Sequence, residues 1–261
     1  MIQSLRLKAG PPARVLFGHP WAFIGEIILN VPPPKSGDCV ELLDLKGKSL
    51  GSGLWSSHSQ IAWRRYSHRQ VSLDGPLLSE LIIAAIRRRD NKPVGRLIWS
   101  EADNLPGLVV DRYHDLLSVQ ALTFGIDQRL PQIIDCLNRE LQPREIVIRN
   151  DAPVRKLEGL DNSITTASGK PLEPSWMKVG DIEVRVDLIG GQKTGMYLDQ
   201  IEQHARIAKL AQGRRVLDAF CNQGGFGLAC ARAGATSVLG LDSSEDAIQA
   251  ARQAAERNQL N

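Results

Sequence analysis

Apolar residues recur along this chain with two different periods, and the changes of period divide it. Up to Leu73, short apolar runs alternate with Gly, Pro and Ser. Ala22 to Leu29, Cys39 to Leu43, Leu50 to Trp55 and Ile61 to Tyr66 read as strands. Val31 to Asp38 and Asp44 to Gly47 have turn compositions between them. Strands at a spacing of about ten residues predict a small β-barrel. Leu77, Leu78, Leu81, Ile82, Ala85 and Ile86 then return every three or four positions, predicting a helix over Asp74 to Asn91. Beyond it, Ile98 to Ser100, Gly107 to Asp111, Leu116 to Leu122 and Glu145 to Arg149 read as strands, with a helix at Leu130 to Leu141. That mixture predicts an α+β module. The expected domains are therefore 1–73, 74–178 and 179–261.

The third segment carries the most informative pattern. Ile182, Val184 and Val186 alternate with charged residues, as in a half-buried strand, and Gly190-Gly191 then turns the chain. A helix follows Gln200 to about Ala211 and stops at Gly213. Val216 and Leu217 open a strand, Asp218 lies at its end, and Asn222, Gln223, Gly224 and Gly225 form a turn. Phe226 to Ala233 continue as a helix, Ser237 to Leu241 as a second strand, and Asp242 follows. This is one nucleotide-binding βαβ unit. A last helix, Glu245 to Asn258, can be capped by Ser243 or Ser244.

Two cofactor classes use such a unit, and an ordinary turn without ligand is the third possibility. A dinucleotide would set its pyrophosphate on the helix N-terminus, where Asp218 would repel it. S-adenosylmethionine carries ammonium and sulfonium groups that a carboxylate suits, and Asp242 would accept hydrogen bonds from its ribose. The glycines at 224, 225 and 227 also depart from the G-x-G-x-x-G spacing.

Composition narrows the class. Hydrophobic content of 43% and charged content of 23% are those of a soluble globular protein, and no apolar run reaches a membrane span. Cys39, Cys136, Cys221 and Cys230 lack Cys-x-x-Cys spacing, which predicts reduced thiols in a cytoplasm and no metal site. The net charge is +3, but residues 1–100 hold 14 Lys and Arg against 7 Asp and Glu. A basic front half points to a polyanion, with Arg64, Arg65, Arg69 and Arg87 to Arg89 as candidate phosphate contacts. His19 reads as a turn residue, with no acid or nucleophile beside it in the sequence.

With these residues in hand, the whole chain resembles the PUA-domain-containing class I S-adenosylmethionine-dependent ribosomal large-subunit RNA (cytosine-C5) methyltransferases. HPWAFIGEI is similar to the opening of their PUA barrel, and SEADNLPGLVVDRY (Ser100 to Tyr113) to a stretch of their central domain. GQKTGMYLDQ (Gly191 to Gln200) and DAFCNQGGF (Asp218 to Phe226) resemble the motifs framing their cofactor site. The resemblance implies a PUA-like barrel, a central α+β domain and the first part of a Rossmann-like methyltransferase domain. It implies that Asp218, Phe220, Asn222, Gly224 and Gly225 surround the methionine part of the cofactor. Asp242 would hold the ribose, with Lys193, Gly195, Asp199 and Gln200 on the entry hairpin. Asn222 and Gln223 stand where the family usually has an aromatic and a Thr, and Ile201 where it often has an Arg.

The same resemblance places an Asp-Pro-Pro-type motif and a catalytic cysteine motif beyond Asn261. The catalytic nucleophile is therefore unassigned, and the 261 residues alone are expected to be inactive. Ribosomal RNA is the implied partner, with a homodimer as one way to cover an incomplete sheet. A guanine-modifying enzyme, a non-catalytic RNA-binding protein and, more distantly, an oxidoreductase stay open.

Overall fold

The computed structural model describes residues 2–10, 13–89, 92–191 and 193–260. Contacts divide it into two units, Met1–Lys170 and Pro171–Asn261.

The first unit begins with β1 (Gln3–Leu7), β2 (Trp21–Ala22), β3 (Ile27–Ile28), β4 (Cys39–Leu43), β5 (Ser49–Trp55) and β6 (Trp63–Ser67). They form one six-stranded sheet in the order β2-β6-β5-β4-β1-β3. β1 runs parallel to β4, and the other pairs are antiparallel. Leu5, Leu7, Val40, Leu42, Trp55 and Trp63 belong to its buried core. Trp63 donates its indole N–H to the Val40 carbonyl at 2.8 Å. Gly53 opposite has no room for a side chain, since a Cβ there would lie 2.4 Å from the Trp63 ring.

Next come α1 (Gly75–Arg88), β7 (Val94–Trp99), β8 (Leu108–Tyr113), β9 (Leu116–Ala121), α2 (Phe124–Asp127), α3 (Leu130–Leu141), β10 (Glu145–Asn150) and β11 (Ser163–Thr166). Asp74 caps α1, its carboxylate accepting the Leu77 N–H at 3.1 Å. Asn91, the expected helix end, lies outside the described residues. The five strands make a second sheet, β11-β10-β9-β8-β7. Apolar stripes of α1 (Leu78, Ile82, Ala85) and α3 (Ile133, Cys136, Leu137) share its core.

The two sheets of this unit are joined by shared burial and charge. Leu54 and Tyr66 of the first sheet are buried in the core of the second. Arg64 pairs with Glu158 at 3.1 Å and with Glu101 at 3.5 Å, and Trp21 donates its indole N–H to Glu101 at 2.7 Å. Arg129 donates to the carbonyls of Leu73 and Gly37 at 3.1 and 3.2 Å. Residues 1–73 and 74–170 therefore fold as one contact unit.

The second unit starts ahead of the expected 178/179 boundary. Its first strand, β12 (Ser175–Val179), pairs antiparallel with β13 (Ile182–Val186) in a hairpin. Then follow α4 (Ile201–Ala208), β14 (Arg215–Ala219), α5 (Gly225–Arg232), β15 (Ser237–Leu241) and α6 (Glu245–Arg257). β14 and β15 are parallel, in register from Arg215 opposite Ser237 to Ala219 opposite Leu241. Ser244 caps α6 through the Ala247 N–H. Asn258, just past α6, behaves as a strand neighbour to β13. Its side-chain oxygen accepts the Glu183 N–H at 2.8 Å, and its amide nitrogen donates to the Glu183 carbonyl at 2.7 Å. Among the described residues, no helix is long and apolar enough to cross a membrane.

A candidate cofactor cavity in the second unit

Two parallel strands deliver their carboxyl ends, with Asp218 near the end of one and Asp242 just after the other, to the same edge of the sheet. A ligand cleft is expected there in any α/β unit of this type. Among the described residues, the chain there encloses a cavity of about 540 Å³ lined in part by Val184, Met196, Phe220, Asn222, Phe226 and Asp242. That volume is in the range that holds a drug-sized ligand.

The turn after β14 is tightly wound. Phe220 (φ +61°) and Asn222 (φ +49°) both lie in the left-handed region, and Gly224 (φ +78°) begins α5 there too. Asparagine tolerates this conformation better than most other residues. Phe220 is strained and 91% exposed at the cavity, a combination that favours a ligand-facing role. The winding aims the Asn222 N–H at Asp242, which accepts it at 2.8 Å while its other oxygen accepts the Ser244 N–H at 2.9 Å. The N–H groups of Ser244 and Asn222 hold the Asp242 carboxyl below the usual range. Each Asp242 oxygen keeps a further lone pair for a ligand hydroxyl.

Asp218 is used differently. Its carboxylate accepts the Gly227 N–H at 2.8 Å, anchoring the first turn of α5 to the end of β14. His204 of α4 closes another wall, edge-on to Phe226 with ring centroids 4.4 Å apart. Gly225 lies so close that a Cβ would meet the imidazole at 2.5 Å. Burial pushes the His204 pKa below its ordinary value, with the Asp218 charge opposing in part.

Of the ten cofactor positions expected from sequence, Gly195, Gln200, Phe220, Asn222, Gly225 and Asp242 line this cavity. Lys193 and Asp199 pair with each other at 3.7 Å, and the Lys193 ammonium sits 4.0 Å from the Tyr197 ring centroid. Gly224 and Asp218 support the turn from the side of α6. Sequence reading missed Val184, Met196, Tyr197, His204 and Phe226 as site residues, whereas Gln223, expected in the turn, lines the cavity. His204 had a usable signal, since it falls four residues after Gln200 on one helical face. Ile201, the other departure from the family pattern, lines a separate apolar cavity with Ile182 and Ala205.

Two candidate RNA contacts need correction. Arg64 and Arg65 are only 8% and 9% exposed. Arg64 is held by Glu158 and Glu101, and Arg65 donates to the Gly18 carbonyl at 2.6 Å. They are adjacent on β6, flanked by Trp63 and Tyr66, so their side chains leave opposite faces of the strand, and nothing in the sequence signals that both faces are covered. Arg69 is exposed. Among the described residues, no group of three or more His, Cys, Asp or Glu could hold a metal ion.

Comparison with known proteins agrees with this geometry. Residues 5–68 match the model of a PUA-like domain, and residues 142–261 match that of the S-adenosylmethionine-dependent methyltransferases. A ribosomal RNA large subunit methyltransferase I of Aeromonas hydrophila is 37% identical, covering 100% of this chain and 68% of its own. The protein of the same name from Shewanella frigidimarina is 35% identical over the same shares. That from Vibrio cholerae is 34% identical, over 99% of this chain and 67% of its own. The chain thus belongs to the ribosomal RNA large subunit methyltransferase I family of S-adenosylmethionine-dependent enzymes. It spans about two-thirds of the length of these relatives. The fold is shared with a solved Streptococcus mutans protein described as a SAM-dependent methyltransferase, at TM-score 0.79 and 19% identity, over 100% of this chain and 68% of that one. The residues of the cavity fit S-adenosylmethionine. An ionised acid stands at the end of β15, aromatic rings line the walls, and the glycine turn leaves room for close approach.

Proposed function

We propose that this protein directs a methyl group from S-adenosylmethionine to C5 of a cytosine in large-subunit ribosomal RNA. The observation that carries the reading is the cavity at the carboxyl ends of β14 and β15, with Asp242 held ionised in its wall. The names of the relatives support ribosomal RNA, and the PUA-like match supports RNA binding by the first unit. When bound, S-adenosylmethionine supplies a methyl group on a positively charged sulfur. In this proposal Asp242 accepts the ribose hydroxyls, and Phe220, Asn222 and Gly225 enclose the methionine part. Gly195 and Gln200 line the entry side, with the Lys193–Asp199 pair next to them in the chain. Asp218 and Gly224 hold the turn in shape. With Arg64 and Arg65 buried, exposed Arg69 stays a phosphate contact in this reading. The place of action is the cytoplasm, and the chain can pair as a homodimer.

Cytosine C5 is a weak nucleophile, so its methylation needs a thiolate added at C6 and a base to remove the C5 proton. Cys221 and Cys230 do not suit that role. Burial and then the Asp218 charge push both thiols up, with Asp242 adding to the effect at Cys221. The 261 residues are therefore proposed to bind donor and RNA without turnover on their own. The target can be read from cells. Deleting the coding sequence and measuring large-subunit RNA nucleosides by mass spectrometry should remove one 5-methylcytidine. Loss of a methylguanosine would move the target to guanine, and an unchanged profile would favour a non-catalytic RNA-binding protein.

A further inference from the structure

We infer that Trp99, with Arg96 stacked on it, is a base-stacking platform for single-stranded RNA; the inference rests on the RNA-directed reading above. Trp99 is 51% exposed, whereas the other four tryptophans are buried or mostly covered. A lone exposed aromatic is common on protein surfaces and by itself means little. What sets this one apart is how firmly it is held.

Trp99 ends β7, an outer strand of its sheet. Its N–H donates to the Asp103 carboxylate at 2.6 Å. Asp103 is 2% exposed and is itself gripped by Arg88 at 2.7 Å and Arg89 at 2.7 and 2.8 Å. The next residue, Ser100, turns the chain at φ +47°. The backbone under the ring is thus fixed from both sides. On one ring face lies the Arg96 guanidinium, 4.3 Å from the centroid. Arg96 is locked by two bonds to buried Asp111, at 2.8 and 2.9 Å. The stack is assembled before any ligand arrives, so little conformational entropy is lost on binding.

The surroundings select the ligand. Residues 87–96 carry five cations (Arg87, Arg88, Arg89, Lys92 and Arg96) against Asp90 in the same stretch. Arg88 and Arg89 share Asp103 and Arg96 pairs with Asp111, so the local balance is five cations to three acids. Arg87 and Arg88 are exposed. A flat π surface beside exposed cations is the arrangement that single-stranded nucleic acid uses, with bases on the aromatic and phosphates on the arginines. An extrahelical base would complete a base–Trp99–Arg96 stack.

The test uses the full chain and a short fluorescein-labelled single-stranded RNA, followed by anisotropy. Trp99→Ala should weaken binding about tenfold, with the salt dependence unchanged because no charge is lost. Trp99→Phe should stay within about threefold of wild type, because a stacking surface remains. Arg87→Ala should lower the salt slope by about one. Equal affinity of Trp99→Ala and wild type would overturn the platform alone and leave a protein partner as the occupant. Loss in Trp99→Phe as large as in Trp99→Ala would also remove stacking. No RNA binding by wild type would remove the RNA reading and the platform together.

Discussion

At the scale of single residues, Asp242 and His204 lend themselves to direct measurement. Asp242 has both oxygens on backbone N–H donors, so Asp242→Ala removes a ligand acceptor and the clasp that shapes the Asn222 turn. Calorimetry with S-adenosylhomocysteine should show about a 10- to 100-fold loss in affinity. Tighter binding of NAD than of S-adenosylhomocysteine to wild type would overturn the cofactor assignment. His204 makes a prediction about pH. Burial lowers its pKa, so the folded state prefers the neutral ring. Its contribution is complete above the ordinary value of about 6.5 and is lost as pH falls through the lowered folded value. Proton NMR should therefore place the His204 midpoint below about 6.5. His204→Gln should flatten the acid limb of the melting temperature. A midpoint above the ordinary value would contradict the buried placement against Phe226.

At the scale of elements, the joint between β6 and the second sheet replaces the expected phosphate contact. Arg64 spans to Glu101 and Glu158, the latter only 1% exposed. Arg64→Ala strands a buried carboxylate, a change that costs about 3–5 kcal/mol in comparable buried pairs. Urea unfolding should report that loss in the first unit, while the salt slope of RNA binding stays as in wild type. A reduced slope in a fully folded variant would return Arg64 to the RNA surface. The sequence revealed most elements where the period is strong, as in α3, β4 and β15. It concealed β1, where only Leu5 and Leu7 alternate, and β12, where Pro171 and Pro174 mask the alternation of Trp176 to Val179. It also misplaced β7, because Arg96 looks polar on a strand whose end is set by the φ of Ser100. The glycine turn, Asp242 of the cavity and Asp218 beneath the turn were legible from local pattern. Val184 and Tyr197 were not, because tertiary packing brings them in, and His204 offered only its four-residue spacing from Gln200.

At the scale of the whole molecule, the two units differ in how their apolar surface is covered. The first unit has two sheets with continuous buried cores that meet at Leu54 and Tyr66. In the second, α5 packs on the face of β14 and β15 that carries Asp218 and Val238. Leu217, Leu239 and Leu241, which point the other way, are 63%, 59% and 51% exposed. The pair also has no third strand hydrogen-bonded to either edge among the described residues. Open edges and uncovered leucines favour local opening or self-association. Amide exchange on the 261-residue polypeptide should therefore show strong protection in β4, β5, β8 and β9 and weak protection in β14 and β15. Sedimentation should show a concentration-dependent dimer if a second copy covers the leucines. Leu217→Glu together with Leu239→Glu should then return the chain to monomer without lowering protection in the first unit. Uniform protection in a strictly monomeric chain would mean that the two strands are stable with that face in water, and the covering argument would fail.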